Sequence, residues 1–176
     1  MISLTSVHNP PHNLLRRLLL LPAFLVFILT ASGSLHAGIT RLSEADRQHL
    51  LEDNFQMVYQ VADIPPGVRQ AFAENAKVPF HMADPGRPFL ISCIVTDPEL
   101  PVRRLVFAGI SPDYCFIHYE LGGINYGWHV VLFRLAGNGK ANFIWGATCG
   151  QAFPSLEQLR KGLQAQQLHD SGDYRW

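Results

Sequence analysis

Apolar positions change their rhythm along this chain. They run almost unbroken from Leu18 to Ala31, recur at helical spacing from Ser43 to Ala76, fall into short β-branched and aromatic runs from Phe89 to Ala147, and return to helical spacing after Pro154. In the second stretch Ser43, with Asp46 three positions on, reads as a helix N-cap. Leu50, Leu51, Phe55, Val58 and Val61 then continue one helical side up to Ile64-Pro65-Pro66. Pro66 suits the first position of a second helix, Gly67 to Ala76, with Val68, Ala71, Phe72 and Ala76 as its apolar side. Pro79, Pro85, Pro88 and the Asp84-Pro85-Gly86 turn signal predict a loop over residues 78–88, which offers His81, Asp84 and Arg87.

The third stretch reads as a five-stranded antiparallel meander, flat or curled: Phe89–Thr96, Val102–Ile110, Tyr114–Leu121, Tyr126–Leu135 and Ala141–Ala147. Pro154-Ser155 opens a C-terminal helix with Leu156, Leu159 and Leu163 on one side and Gln158 placed to complete a capping box. The expected fold class is α+β: two N-terminal helices, the meander and one C-terminal helix, in a single domain over residues 38–165 with a polar tail over 166–176. Both faces of the middle strands are apolar, which calls for covers on both sides of the sheet.

Charge separates the N-terminus from the rest. The first acidic residue is Glu44, and Arg16-Arg17 directly precedes the apolar run, which leads into Ser32-Gly33-Ser34-Leu35-His36-Ala37. A basic segment, an apolar segment and small residues before a cut spell a secretory signal peptide over residues 1–37, so the domain is expected outside the cytoplasm, periplasmic or secreted. Pro22, Gly33 and His36 limit a membrane span there, and cleavage after Ala37 would leave no stable membrane insertion. Without Arg16 and Arg17 the 14 basic residues become 12 against 14 acids, a net charge of −2. A chain with so few lysines and no basic stripe does not read as a nucleic-acid binder. Three cysteines, Cys93, Cys115 and Cys149, allow at most one internal bridge. Strand alternation places Cys115 and Cys149 on one face and Cys93 on the other, leaving Cys93 unbridged.

Candidate chemistry gathers at one hairpin. Closing the third and fourth strands about Gly123-Ile124 sets His118 opposite His129, Tyr119 opposite Trp128 and Glu120 opposite Gly127. The preceding turn sets Arg103 opposite Glu120. His118, Glu120 and His129 would then share a face. Two imidazoles and a carboxylate so placed can chelate a divalent metal such as zinc, or support proton transfer. The alternative is structural, with Glu120 paired to Arg103 and the histidines closing a core. Gly127 would leave room beside Glu120, and Tyr126 would add an amphipathic ring, so Arg103, His118, Glu120, Tyr126, Gly127 and His129 are the candidate binding residues.

No phosphate loop, GxSxG elbow, HExxH or GxGxxG is present. The sequence therefore reads as an exported, non-catalytic module for a protein or small ligand, needing no cofactor. Two contrasting readings are a metal-dependent or acid/base enzyme using His118, Glu120 and His129, and a structural or inhibitory module docking through the aromatic Gly122–Trp128 hairpin.

Overall fold

A computed structural model describes residues 40–94 and 97–172. The expected signal peptide lies outside them. Among the described residues the fold is α+β: three α-helices and a six-stranded antiparallel sheet whose spatial order follows the sequence. The strands are β1 (Gln56–Val58), β2 (Arg103–Ile110), β3 (Tyr114–Leu121), β4 (Gly127–Leu135), β5 (Ala141–Cys149) and β6 (Leu168–Asp170); the helices are α1 (Glu44–Glu52), α2 (Pro66–Ala76) and α3 (Leu156–Gln164).

Helix α1 starts where its cap predicts, with Ser43 Oγ accepting the Asp46 N–H at 3.1 Å. It stops at Glu52, nine residues before Val61, the last position of its apolar spacing. Phe55 is buried against α1 and α3, whereas Val58 is buried on the opposite side of the sheet. A single helical face cannot serve both, so residues 56–58 extend and pair with the end of β2 instead. Helix α2 buries the four predicted side chains, Val68, Ala71, Phe72 and Ala76, and ends at Lys77 in the left-handed region, φ 60°. Helix α3 is capped by Ser155, whose Oγ accepts the Gln158 N–H at 3.3 Å, and buries Leu159 and Leu163.

The sheet is covered on both faces. Helix α2 packs on one, over Leu105, Ala108, Cys115, Ile117, Tyr119 and Phe133. Helices α1 and α3 cover the other, over Phe107, Phe116, Val130, Leu132 and Trp145. All eight residues of β3 are buried, the pattern of a central strand between two layers.

Two parts of the expected meander are corrected. Residues 89–94 form no strand, because the edge of β2 they would need is already occupied. Ala83 bridges to it in parallel (Ala83 N–H to Arg103 O and Leu105 N–H to Ala83 O, both 2.9 Å), and β1 takes its far end. Phe89 and Leu90 are buried, while residues 91–94 run exposed, held by Leu90 N–H to Pro101 O and Gly123 N–H to Ile91 O, both 2.9 Å. Conversely, residues 168–170, expected in a polar tail, form β6 on the edge of β5. Trp145 Nε1–H donates to Asp170 Oδ1 at 2.6 Å there.

Cys93 is exposed, Cys115 and Cys149 are buried, and all three are free thiols. Cys115 lies on the α2 side and Cys149 on the other, not on a shared face. The irregularity between Leu132 and Phe133, where β5 shifts register, breaks the simple alternation.

Candidate functional site

The β3–β4 hairpin closes one residue later than a turn centred on Gly123-Ile124 would place it. Leu121 pairs with Gly127, Glu120 with Trp128, Tyr119 with His129 and His118 with Val130. The loop is five residues long, with Gly123 at φ 93°, and Gly122 is pressed against the Leu90 carbonyl so closely that no Cβ fits. A one-residue slip exchanges faces along a whole strand. His118 and Glu120 therefore stay on the α1/α3 face, while His129 moves to the α2 face with Tyr119.

His118 is buried with both ring nitrogens engaged. Nδ1 lies 2.9 Å from the His129 carbonyl, and Nε2 lies 3.0 Å from the Phe153 N–H, which donates to it. Those partners fix the neutral tautomer with its proton on Nδ1. Burial pushes the imidazole pKa down to about 4, against a smaller rise from the bond to His129. His129 is buried too, stacked on the Tyr119 ring with centroids 5.3 Å apart. The three-ligand constellation expected from sequence is thus not assembled. Among the described residues no group of three His, Cys, Asp or Glu side chains converges as a metal would require.

Glu120 does pair with an arginine, but with Arg104. Arg104 Nη2 and Nε donate to Glu120 Oε2 at 2.6 and 3.2 Å, and the Tyr126 hydroxyl donates to Oε1. The Arg104 guanidinium also lies over the Phe89 ring, 4.3 Å from its centroid. The hydrogen bond to Glu120 raises the Tyr126 pKa, helped by burial. Tyr126 is exposed and meets half-buried Trp128 edge-on at 5.5 Å. Trp128 sits across from Glu120, so the expected Tyr119–Trp128 pair does not form; Gly127 faces Leu121 and leaves open space beside its own Cα.

Arg103 points to the α2 face. It is buried, with its guanidinium 5.4 Å from the centre of the Phe72 ring and in contact with Tyr119. Arg103 also borders an open cavity of about 400 Å³ lined by Val78, Pro79, His81, Leu90, Leu100 and Pro101, among others. This cavity is invisible to a reading by motif. The signal was compositional: prolines interleaved with large apolar residues on both sides of the run that begins at Phe89. In the loop over residues 78–88, Asp84 Oδ1 accepts the Val61 N–H at 2.7 Å, which gives it a structural role.

A second polar cluster lies at the far end of the sheet. His49 Nδ1 sits 3.1 Å from Asp53 Oδ1, and Ser111 Oγ donates to Asp53 Oδ2 at 3.0 Å. The carboxylate stands between the ring and the hydroxyl, so His49 is not placed to take the Ser111 proton as a nucleophile's base must. Beside it, burial raises the Asp46 carboxyl, but hydrogen bonds from Ser43, Arg134 and Tyr114 outweigh this and hold it below the usual carboxylate range. Both clusters tie α1 to the β2–β3 and β4 ends. No protein-family model, curated protein or solved structure matches this chain.

Proposed function

We propose that this is an exported, non-catalytic domain that binds a small ligand at the end of the sheet formed by the β3–β4 turn and the segment of residues 78–94 and 97–102. One observation carries the reading. Of the seven large apolar side chains exposed among the described residues, six belong to that segment or that turn: Val78, Ile91, Ile94, Val102, Ile124 and Tyr126, with Tyr59 the exception. Apolar exposure gathered in this way usually marks contact with something else. Gly123 N–H to Ile91 O and Gly122 N–H to Val102 O, at 2.9 and 2.8 Å, tie the segment to the turn. Two of the six, Val78 and Val102, line the cavity beside Arg103, which falls in the size range of small-ligand pockets. Export is supported by the N-terminal sequence pattern alone. The arrangement of His118, satisfied on both nitrogens by backbone groups, supports the non-catalytic part.

The reading is tested by a saturation-transfer NMR screen of small apolar and amphipathic fragments against the mature domain and its Ile91→Ser/Tyr126→Ser variant. Both side chains are exposed and outside the two cores, so the variant should stay folded and melt lower only by the loss of the Tyr126 bond to Glu120. Hits that lose their signal in the variant are expected. Hits that persist would move the contact surface elsewhere, chemical conversion of a fragment would replace binding by catalysis, and an absence of small-molecule hits alongside a stable protein partner lost in the variant would favour docking through the hairpin.

A further inference from the structure

We propose that the end of the sheet at the β3–β4 turn docks reversibly on the surface of a lipid bilayer, with Ile94 and Ile124 as the side chains that enter it. This rests on the reading of that end as the contact surface, and names a partner for it beyond the small ligand.

Two neighbouring loops carry this surface. The run that contains Ile91 and Ile94 is held to the β3–β4 turn by the Gly123 N–H to Ile91 O bond at 2.9 Å. Ile124 is 89% exposed in the turn and Ile94 is 71% exposed on the neighbouring run, with Ile91 exposed as well. Side chains that stand this far out are not seated in a groove, and a rigid protein partner would have to offer each of them a pocket. A fluid hydrocarbon boundary needs none. The charge pattern agrees. No Asp, Glu, Lys or Arg occurs from Pro88 to Thr96 or from Leu121 to Trp128. A protein interface is ordinarily rimmed by polar and charged groups, whereas a charge carried to the hydrocarbon boundary is costly.

The groups behind the tips suit the headgroup layer. Tyr126 and Trp128 follow Ile124 along the chain into β4, and their rings meet edge-on at 5.5 Å. Both are amphipathic side chains of the kind that gather at membrane–water interfaces. The first acid before the turn, Glu120, is already paired with Arg104 and accepts the Tyr126 hydroxyl, so no bare charge stands close behind the rings. Two turn N–H groups donate within the protein, Gly122 to Val102 O and Gly123 to Ile91 O, and need no water when the turn enters the interface. The contact is adsorption and not a span: no helix among the described residues is long and apolar enough to cross a membrane.

The test is co-sedimentation of the mature domain, which lacks the apolar run Leu18–Ala31, with vesicles of dioleoylphosphatidylcholine. Binding is expected, and it should change by less than about twofold between low and high salt, because no ion pair supports it. Ile94→Ser/Ile124→Ser removes two exposed side chains that neither core uses, so it should melt like the parent and weaken partitioning about tenfold or more, since each isoleucine forfeits its burial in the bilayer. Tyr59→Ser, which removes exposed apolar surface outside this end, should bind like the parent. No vesicle binding, while fragment hits sensitive to Ile91→Ser/Tyr126→Ser persist, would reject the bilayer and leave the small-ligand reading standing. Vesicle binding that needs Ile94 and Ile124 while no fragment binds would support docking and remove the small ligand. Binding lost equally in Tyr59→Ser, or seen only with anionic phosphatidylglycerol at low salt, would overturn the proposal. So would a dimer of the parent that ignores vesicles and dissociates in Ile94→Ser/Ile124→Ser, which would give the surface to a second copy of the chain.

Discussion

The Nε2 of His118 accepts the backbone N–H of Phe153 at 3.0 Å, and so joins the middle of the sheet to the segment leading into α3. A protonated imidazole could not accept that bond. With a folded pKa of about 4 against an ordinary 6.5, the unfolded chain takes up a proton that the folded chain refuses between those values. Stability should therefore fall as pH drops from 6.5 to 4, by about 3 kcal/mol from this residue, and not change on its account above 6.5. Urea midpoints across that range check it. His118→Gln, whose amide can serve both backbone partners, should flatten the slope; an unchanged slope would move the titration to another group.

Arg104 and Glu120 should be coupled in a double-mutant cycle, by about 1–2 kcal/mol, because their hydrogen-bonded pair is only partly exposed. Arg103→Met and Glu120→Gln should instead add independently, since the two residues lie on opposite faces. Thermal or urea unfolding of the six proteins measures both. Strong coupling of Arg103 to Glu120 would restore the register expected from the turn alone.

Gly122→Ala should cost about 2–3 kcal/mol or more, because an added Cβ would lie 1.7 Å from the Leu90 carbonyl oxygen and must push residues 89–91 away from the turn. Gly137→Ala, with open space around it, should be within about 0.5 kcal/mol of the parent. Melting curves of the two variants compare a backbone close approach with an ordinary loop glycine.

In the folded protein one thiol should react rapidly with a disulfide reagent, and peptide mapping should place it at Cys93. Burial pushes Cys115 and Cys149 up to about 12, so they should react only on unfolding. Rapid labelling of Cys115 would mean that the sheet face under α2 opens readily.

Much of this fold was legible because local and tertiary preferences agree. Tyr114–Leu121 is a strand with the predicted limits, the apolar side of α2 is the predicted one, and Ser155 caps α3. Where they disagree the sequence misleads. Phe89–Thr96 has strand composition but no free edge to pair with, Phe55 and Val58 have helical spacing but belong to different cores, and Leu168–Asp170 is polar yet has β5 and Trp145 to pair with. The expected pairing of the two histidines failed on a single residue: a glycine-bearing turn of five residues rather than an even-numbered one. That slip separates His118 from His129, while the exchange of Arg103 for Arg104 as the partner of Glu120 comes from the β2–β3 register, which is itself shifted between Leu105 and Phe107. Hydrophobic alternation could not detect it, because both faces of β3 and β4 are apolar.

The claim that binding takes place at this end of the sheet is tested most directly by chemical-shift mapping with the tightest fragment from the screen, on the backbone amides of the mature domain. The predicted footprint covers Leu90–Ile91, Val102–Arg103 and the Gly122–Tyr126 turn, with the amides around His118 and Asp53 unmoved. A footprint centred on Gly150–His169, or on the α2–β5 cavity near Glu74 and Lys140, would contradict it.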